Sequence, residues 1–255
     1  RSLGETEFVR GQAAMSASGT FGRAKACDAL FGNVDLTLGR AVEPILEQHI
    51  AASGGRFRGV RISSGWHADE KVGNVTEQPN LLIDPRVSEA AAVLSRMGLS
   101  LDCWLYHPQL DEVAQLADAH PGLTIILNHV GSPILGGPYR GKTDEVFKVW
   151  KAAITRVSNH NNVFIKLGAM PIRMPGFEGD RSLPPGSAEV AAAWRPWMET
   201  CIEAFGPARS MYESNFPVQK RWCSYQVCWN AFKRISASAS ASEKADLFAG
   251  AAARA

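Results

Sequence analysis

Five apolar runs rich in β-branched and aromatic residues each stop in a small cluster of polar groups, and this repeated ending is what most constrains the fold. Leu123-Thr124-Ile125-Ile126-Leu127 leads into Asn128-His129-Val130-Gly131. Pro121-Gly122 precedes that run and Ser132-Pro133 follows it, so it reads as a buried strand bounded by turns. Residues 99–106 end in His107-Pro108, 57–62 in Ser63-Ser64-Gly65, 163–168 near Met170-Pro171, and 210–212 in Glu213-Ser214-Asn215. Parallel α/β proteins collect chemistry at the C-terminal ends of their strands. Five strands ending this way predict one shared site.

Helical segments separate these runs, which argues for βαβ units and a parallel sheet. Six strands are expected, near 29–36, 57–62, 100–106, 124–130, 163–168 and 210–215. Helices are expected over about 40–52, with Pro44 in the first turn and Gly54-Gly55 as the stop. Others are expected over 85–97, from 110, over 144–157, over 189–205 broken at Pro196, and over 225–235. Ser240 followed by Glu243 fits a capping box for a last helix. Residues 2–10 read as a polar opening segment. Loops after strands (63–83, 131–142, 170–187) are long, and the last is expected to cover one end of the molecule. Connections into strands are short. That asymmetry fits a (β/α) barrel with its active face at the strand C-termini. A barrel needs eight strands, and an open doubly wound sheet is the alternative. No G-x-G-x-x-G follows a strand, which argues against a dinucleotide site.

The chain has 255 residues, which suits one α/β domain over 1–255. With 27 basic and 25 acidic residues the formal net charge is +2 and no basic cluster stands out, so neither a nucleic-acid nor a membrane partner is expected. No apolar run approaches the roughly 18 residues of a membrane-spanning helix. The five cysteines form no C-x-x-C pair, which points to a reducing, cytoplasmic setting rather than a disulfide or zinc-knuckle scaffold, and the expected partner is a small-molecule substrate. The chain opens at Arg1 rather than Met, and an N-terminal truncation is expected.

His107 and His129 end neighbouring strands, whose C-termini would lie about 5 Å apart if paired. Either imidazole reads as a metal ligand or general acid/base, or as a hydrogen-bonded structural histidine; the pairing favours function. Arg61 sits inside an apolar strand and needs a partner. That partner is a substrate carboxylate or a core carboxylate such as Asp35 or Asp102. Lys166 is embedded in the same way, as an anion binder, a Lewis-acid surrogate or half of an internal ion pair, with the ion pair preferred. Asn215 cannot act as a base but can orient water or substrate. Trp66 is a candidate pocket wall. His67 lies in a loop, where exposure is expected, and His49, His120 and His160 read as solvated surface groups.

These same stretches resemble the amidohydrolase-related family. The resemblance is carried by Phe57-Arg58-Gly59-Val60-Arg61, Leu101-Asp102-Cys103-Trp104-Leu105-Tyr106-His107-Pro108, Leu127-Asn128-His129-Val130-Gly131-Ser132-Pro133, Val163-Phe164-Ile165-Lys166-Leu167-Gly168 and Glu213-Ser214-Asn215-Phe216-Pro217-Val218, in order from about Gly4 onward. That family contains metal-dependent hydrolases of the TIM-barrel fold, including 2-pyrone-4,6-dicarboxylate lactonases, sugar lactonases and a decarboxylase. The resemblance implies a (β/α)8 barrel of which this chain supplies strands three to eight. The His-x-His of the first family strand is missing here. By similarity His107 matches the fifth-strand histidine and His129 the sixth. Asn215 falls where many members carry Asp, Gln219 replaces another Asp, and Ile62 stands where many carry His. The implied activity is hydrolysis of a small carboxylated lactone or related cyclic ester or amide by an activated water. His129, His107 and Asn215 would be catalytic, and Arg61, Lys166, Trp66 and Trp104 would bind substrate. One divalent metal, zinc, is expected in the complete protein, with His107 as ligand. Two further readings stand beside this one: a zinc-dependent decarboxylase or amidohydrolase on the same barrel, and an inactive truncated barrel acting through a partner.

Overall fold

In a computed structural model, which describes residues 2–170 and 184–255, six parallel strands form one sheet in simple sequential order. They are β1 (Leu30–Gly32), β2 (Phe57–Ser63), β3 (Ser100–Trp104), β4 (Ile125–Leu127), β5 (Val163–Leu167) and β6 (Ser210–Tyr212). Helices α2 (Glu43–Ala52), α3 (Pro85–Arg96), α4 (Leu110–Ala119), α5 (Thr143–Ser158) and α6 (Ser187–Phe205) connect them in turn. Helix α7 (Tyr225–Ile235), the short α8 (Ala241–Ala245) and α9 (Ala251–Arg254) follow the last strand. All six expected strands and the alternation are present, and the Ser240–Glu243 capping box opens α8 as expected.

The sheet is strongly curled. Lys166 on β5 lies 5.5 Å from the centre of the Phe31 ring on β1. Four strand spacings in a flat sheet would separate these backbones by about 19 Å, so the sheet bends into a half barrel. Strand alternation then gives each face its own chemistry. Val60, Leu101, Cys103, Ile125, Leu127, Ile165 and Leu167 face the helices and are almost wholly buried. Each such side chain contributes roughly 1.5–3 kcal/mol. The inner face is mixed. Phe31, Ile126, Phe164 and Met211 form an apolar plug with Ala251 and Ala255. One residue pair further along the strands, the same face carries Arg61, Asp102, Asn128, Lys166 and Glu213.

Several local expectations are corrected. Residues 2–10 belong to helix α1 (Ser2–Ala17), which packs on α2. The first strand stops at Gly32, because Asp35 caps a 3₁₀ segment, Leu36–Val42, by accepting the Thr37 N–H at 2.9 Å. Helix α2 therefore begins at Glu43. Pro196 does not break α6, which runs through it; Thr200 Oγ1 donates to the Pro196 carbonyl at 2.8 Å. The expected cover over 170–187 falls mostly on 171–183, outside the described residues. His49 is fully buried, with its Nδ1 2.8 Å from Thr6 Oγ1, and His160 contacts Asp118 at 3.0 Å. Neither is a solvated surface group, because α1 covers the first and Asp118 on α4 meets the second. His120 is part-buried against Ser88 at 2.8 Å.

Candidate active site

The strand C-termini surround a cavity of about 830 Å³. Arg61, Trp104, His129, Ala169 and Asn215, which come from or directly follow β2, β3, β4, β5 and β6, all line it. Four of the five strand endings reach this one cavity, and β3 reaches it through Trp104 and Tyr106 rather than His107. Beneath this mouth lies a charged layer. Asp102, 1% exposed at its side chain, accepts from Arg61 Nε and Nη2 at 3.0 and 2.7 Å and from Lys166 Nζ at 2.8 and 2.9 Å. Arg61 Nη2 also donates to Asn128 Oδ1 at 3.2 Å. One carboxylate thus neutralises one of two cations, of which Lys166 is 15% and Arg61 38% exposed at the side chain, and a second acid nearby would balance the layer. Glu213 supplies it. Arg61 takes the core carboxylate Asp102 and also lines the cavity, and Lys166 takes the ion pair. Lys166 does not itself line the cavity among the described residues.

His129 is held by Glu213 twice. Its backbone N–H donates to Glu213 Oε1 at 3.2 Å, and its Nδ1 bonds the same oxygen. Burial pushes the Glu213 carboxyl up, but His129, Lys166 and Arg61 outweigh it together, so the group ionises below the usual carboxylate range. A carboxylate only accepts hydrogen bonds. Nδ1 must therefore carry a proton, so that in the neutral imidazole Nε2 holds the lone pair. Two backbone features permit this geometry. Gly168 lies where a Cβ would stand 2.1 Å from the Glu213 carbonyl and 2.6 Å from its Cγ, so only glycine leaves room for Glu213. His129, Val130, Gly131 and Ser132 have φ of 57°, 49°, 70° and 42°, a left-handed turn at about 1–2 kcal/mol for each non-glycine residue. Strained backbone of this kind persists where the surroundings over-determine it. Here Trp150 Nε1 donates to the Val130 carbonyl at 2.7 Å, and the Ser132 N–H closes on the His129 carbonyl at 2.8 Å. The expected strand over 124–130 stops at Leu127 for this reason. Ala169 and Asn215, at the ends of β5 and β6, are also left-handed.

His107 has a different fate. It is 4% exposed and is not among the residues lining the cavity. Its Nδ1 accepts the Ile134 N–H at 3.2 Å, and its ring stands edge-on to Tyr139 at 5.2 Å. Burial, with a smaller push from His67, lowers its pKa to about 4. The structure therefore separates two histidines that sequence placed on one cavity. Trp66 is also off the cavity lining; its backbone N–H donates to Gln109 at 2.9 Å. His67 is not loosely exposed, since its Nε2 lies 3.0 Å from the Tyr139 hydroxyl. Trp104 and Asn215 line the cavity. Sequence reading missed Glu213 as the partner of His129. The available signal was strand alternation, which puts Met211 and Glu213 on the same face.

The charged layer does not suit a zinc ion. No group of three His, Cys, Asp or Glu side chains converges as a metal site among the described residues. Asp102 is saturated by two cations, Glu213 is engaged by His129, and His107 Nδ1 already accepts a hydrogen bond. The Lys166 ammonium and Arg61 guanidinium in the same layer oppose a dication.

A sequence model of the family described as Amidohydrolase matches residues 20–255. The chain belongs to the amidohydrolase family. It is 32% identical over 207 residues to the Uncharacterized protein y4mH of Sinorhizobium fredii, covering 81% of this chain but only 62% of that one, less than two thirds of its length. It is 26% identical over 235 residues to the L-fucono-1,5-lactonase of Burkholderia multivorans, covering 90% of this chain and 73% of the lactonase. A zinc-bound amidohydrolase structure from Burkholderia multivorans superposes with a TM-score of 0.71 at 24% identity, over 89% of this chain and 72% of that one. That likeness establishes the fold: the curled sheet is a half barrel of the amidohydrolase type. No helix among the described residues is long and apolar enough to cross a membrane.

Proposed function

We propose that this amidohydrolase opens a small carboxylated lactone by attack of water on the ring carbonyl. The carrying observation is His129, on the cavity wall with Nδ1 and N–H both fixed on Glu213. His129 Nε2 takes a proton from water as the oxygen attacks the carbonyl carbon. The oxyanion that forms is stabilised by the Arg61 guanidinium, whose Nη1 is left over after Nε and Nη2 engage Asp102 and Asn128. The ring C–O bond then breaks, and the departing alkoxide takes the proton back from His129. The product is the hydroxy acid. Lys166 holds Asp102, which in turn fixes Arg61 at the cavity wall, and the Asn215 carboxamide orients the water. The lactonase relative supports this reaction class. We further read β1 and β6 as strands three and eight of a barrel that two strands outside these 255 residues would close. Support comes from the longer relatives and from the lack of any strand pairing between β1 and β6 among the described residues.

The test is acid release from aldono-lactones and pyrone carboxylates by the complete gene product. Turnover is expected, and His129→Ala should lower kcat by about a thousandfold. Undiminished turnover in that variant would sink the mechanism. Carbon dioxide release from aromatic carboxylates, without any lactone opening, would replace it with the decarboxylase reading.

A further inference from the structure

Between β6 and α7 two thiols meet beside the cavity wall. Val218, Gln219, Arg221 and Trp222 line the cavity, and Cys223 follows them directly. Backbone bonds make this stretch one unit. The Gln219 N–H donates to the Asn215 carbonyl at 3.0 Å, and the Trp222 and Cys223 N–H groups donate to the Gln219 carbonyl at 3.0 and 3.3 Å. Ser224 then caps α7, its hydroxyl accepting the Val227 N–H at 3.2 Å. Cys223 thus directly precedes the cap, and Cys228 is the fourth helical residue. Side chains in these two places pack together at helix starts, usually as an apolar staple. Here both are thiols, and they are hydrogen-bonded to each other. Both are free cysteines. They are 3% and 1% exposed, which shuts out bulky oxidants. Hydrogen bonds from Cys228 and the Gln219 side chain hold the Cys223 thiol below its ordinary range against the opposing effect of burial, whereas Cys228 keeps its proton. The Glu213 charge is felt at Cys228, so the pair lies near the His129–Glu213 unit.

We propose that Cys223 and Cys228 form a reversible disulfide, a modification site through which hydrogen peroxide acts on the β6 side of the cavity. The Cys223 thiolate attacks one peroxide oxygen and the O–O bond breaks. Hydroxide leaves and takes up a proton to become water, and Cys223 is left as the sulfenic acid. The Cys228 thiol then attacks that sulfur. The S–S bond forms as the S–O bond breaks, and the hydroxyl leaves with the Cys228 proton as a second water. The two sulfurs are oxidised and the peroxide is reduced. A covalent bond draws Cys223 closer to α7 than a hydrogen bond does, which pulls on the Gln219–Trp222 wall and on the Asn215 carbonyl. A thiol reductant reverses the step by exchange.

The test is peptide mass after treating the complete protein with hydrogen peroxide and alkylating the remaining thiols. Trypsin cuts after Arg221 and Lys233, so one peptide, 222–233, carries both cysteines. In the wild type it should be lighter by two hydrogens and unalkylated, and dithiothreitol before alkylation should abolish this. In Cys228→Ala the reaction should stop at a Cys223 sulfenic acid that dimedone traps. In Cys223→Ala, Cys228 should stay reduced. Thermal melts show whether each variant folds, and where one does not, the wild-type peptide decides. Alkylation of both thiols after peroxide, or oxidation of either to the sulfinic acid without a cross-link, overturns the site. The activity arm rests on the lactone reading above. Cross-linking should lower lactone turnover about tenfold in the wild type, and peroxide should leave Cys223→Ala unaffected. Full turnover by the cross-linked protein overturns the link to the cavity. If neither form opens a lactone, the lactone reading fails and the disulfide stands on the peptide mass.

Discussion

The ends of β3 and β4 offer the same sequence grammar, an apolar run finishing in a histidine, yet they build opposite environments. At the end of β4 a left-handed turn delivers His129 to the cavity wall, where Glu213 fixes its Nδ1 and N–H. At the end of β3, His107 lies under Tyr139 and the Ile134 backbone, where its imidazole stays neutral to about pH 4. What separates them is whether a carboxylate or an apolar cover faces the ring. An ionised neighbour draws a histidine into proton transfer, whereas a buried apolar pocket makes it a structural acceptor.

The largest effect should come from breaking the β4 side. His129→Ala is expected to cost about three orders of magnitude in kcat, near 4 kcal/mol of transition-state stabilisation. Glu213→Gln, which keeps the shape but removes the charge, should cost about a hundredfold. His107→Asn should cost less than either. Steady-state kinetics on the lactone panel rank the three, and His107→Asn falling as far as His129→Ala would erase the distinction.

The layer that supports both ends comes next. Asp102→Ala leaves Lys166, 15% exposed, without its carboxylate, while Arg61, 38% exposed, keeps contact with water, so the fold should lose about 1–3 kcal/mol. Urea unfolding reads this directly, and a loss below 1 kcal/mol would show the triad to be solvated.

A pH comparison sharpens the β3 side. The folded-state pKa of His107, about 4, lies below the ordinary value near 6.5. Between these values the unfolded chain binds a proton that the native chain excludes. The stabilisation is therefore full above about pH 6.5 and is lost as pH falls toward 4. Its size is at most ~3 kcal/mol. The neighbouring His67 and Tyr139 make His107→Asn the appropriate control: wild type should lose more stability than this variant between pH 7 and 4.5. Parallel losses would place the ring in water.

The smallest effect concerns the turn itself. Trp150→Phe keeps most of the buried volume but removes the hydrogen bond to the Val130 carbonyl, at a cost of about 1–2 kcal/mol in unfolding free energy. If that bond holds the left-handed turn, kcat should fall severalfold with KM nearly constant. A loss of stability with unchanged kcat would make Trp150 a packing residue only.

Much of the architecture was legible because it is local. Apolar runs bounded by Gly and Pro gave the strands, and the segments between them gave the helices. Ser240 and Glu243 carried the last cap in four residues. The convergence of strand ends was also legible, since a parallel sheet puts every C-terminus on one side. Reading failed where a distant element decided the outcome. His49 looked exposed until Thr6 on α1 covered it, and Pro196 looked like a break until α6 packed around it. His129 meets Glu213 only because β4 and β6, with β5 between them, lie on the inside of a tight curl.

The sequence by itself determined a parallel α/β sheet of six strands, polar at its C-terminal edge, and a family resemblance that comparison with relatives upheld. It also determined that Arg61 and Lys166, set among apolar neighbours, require anionic partners, because an isolated buried charge is too costly to keep. Only the tertiary structure decided which carboxylate each cation takes and which histidine faces the cavity. Those choices depend on distances across a curved sheet, between residues up to 84 positions apart in the chain, and no local pattern encodes them.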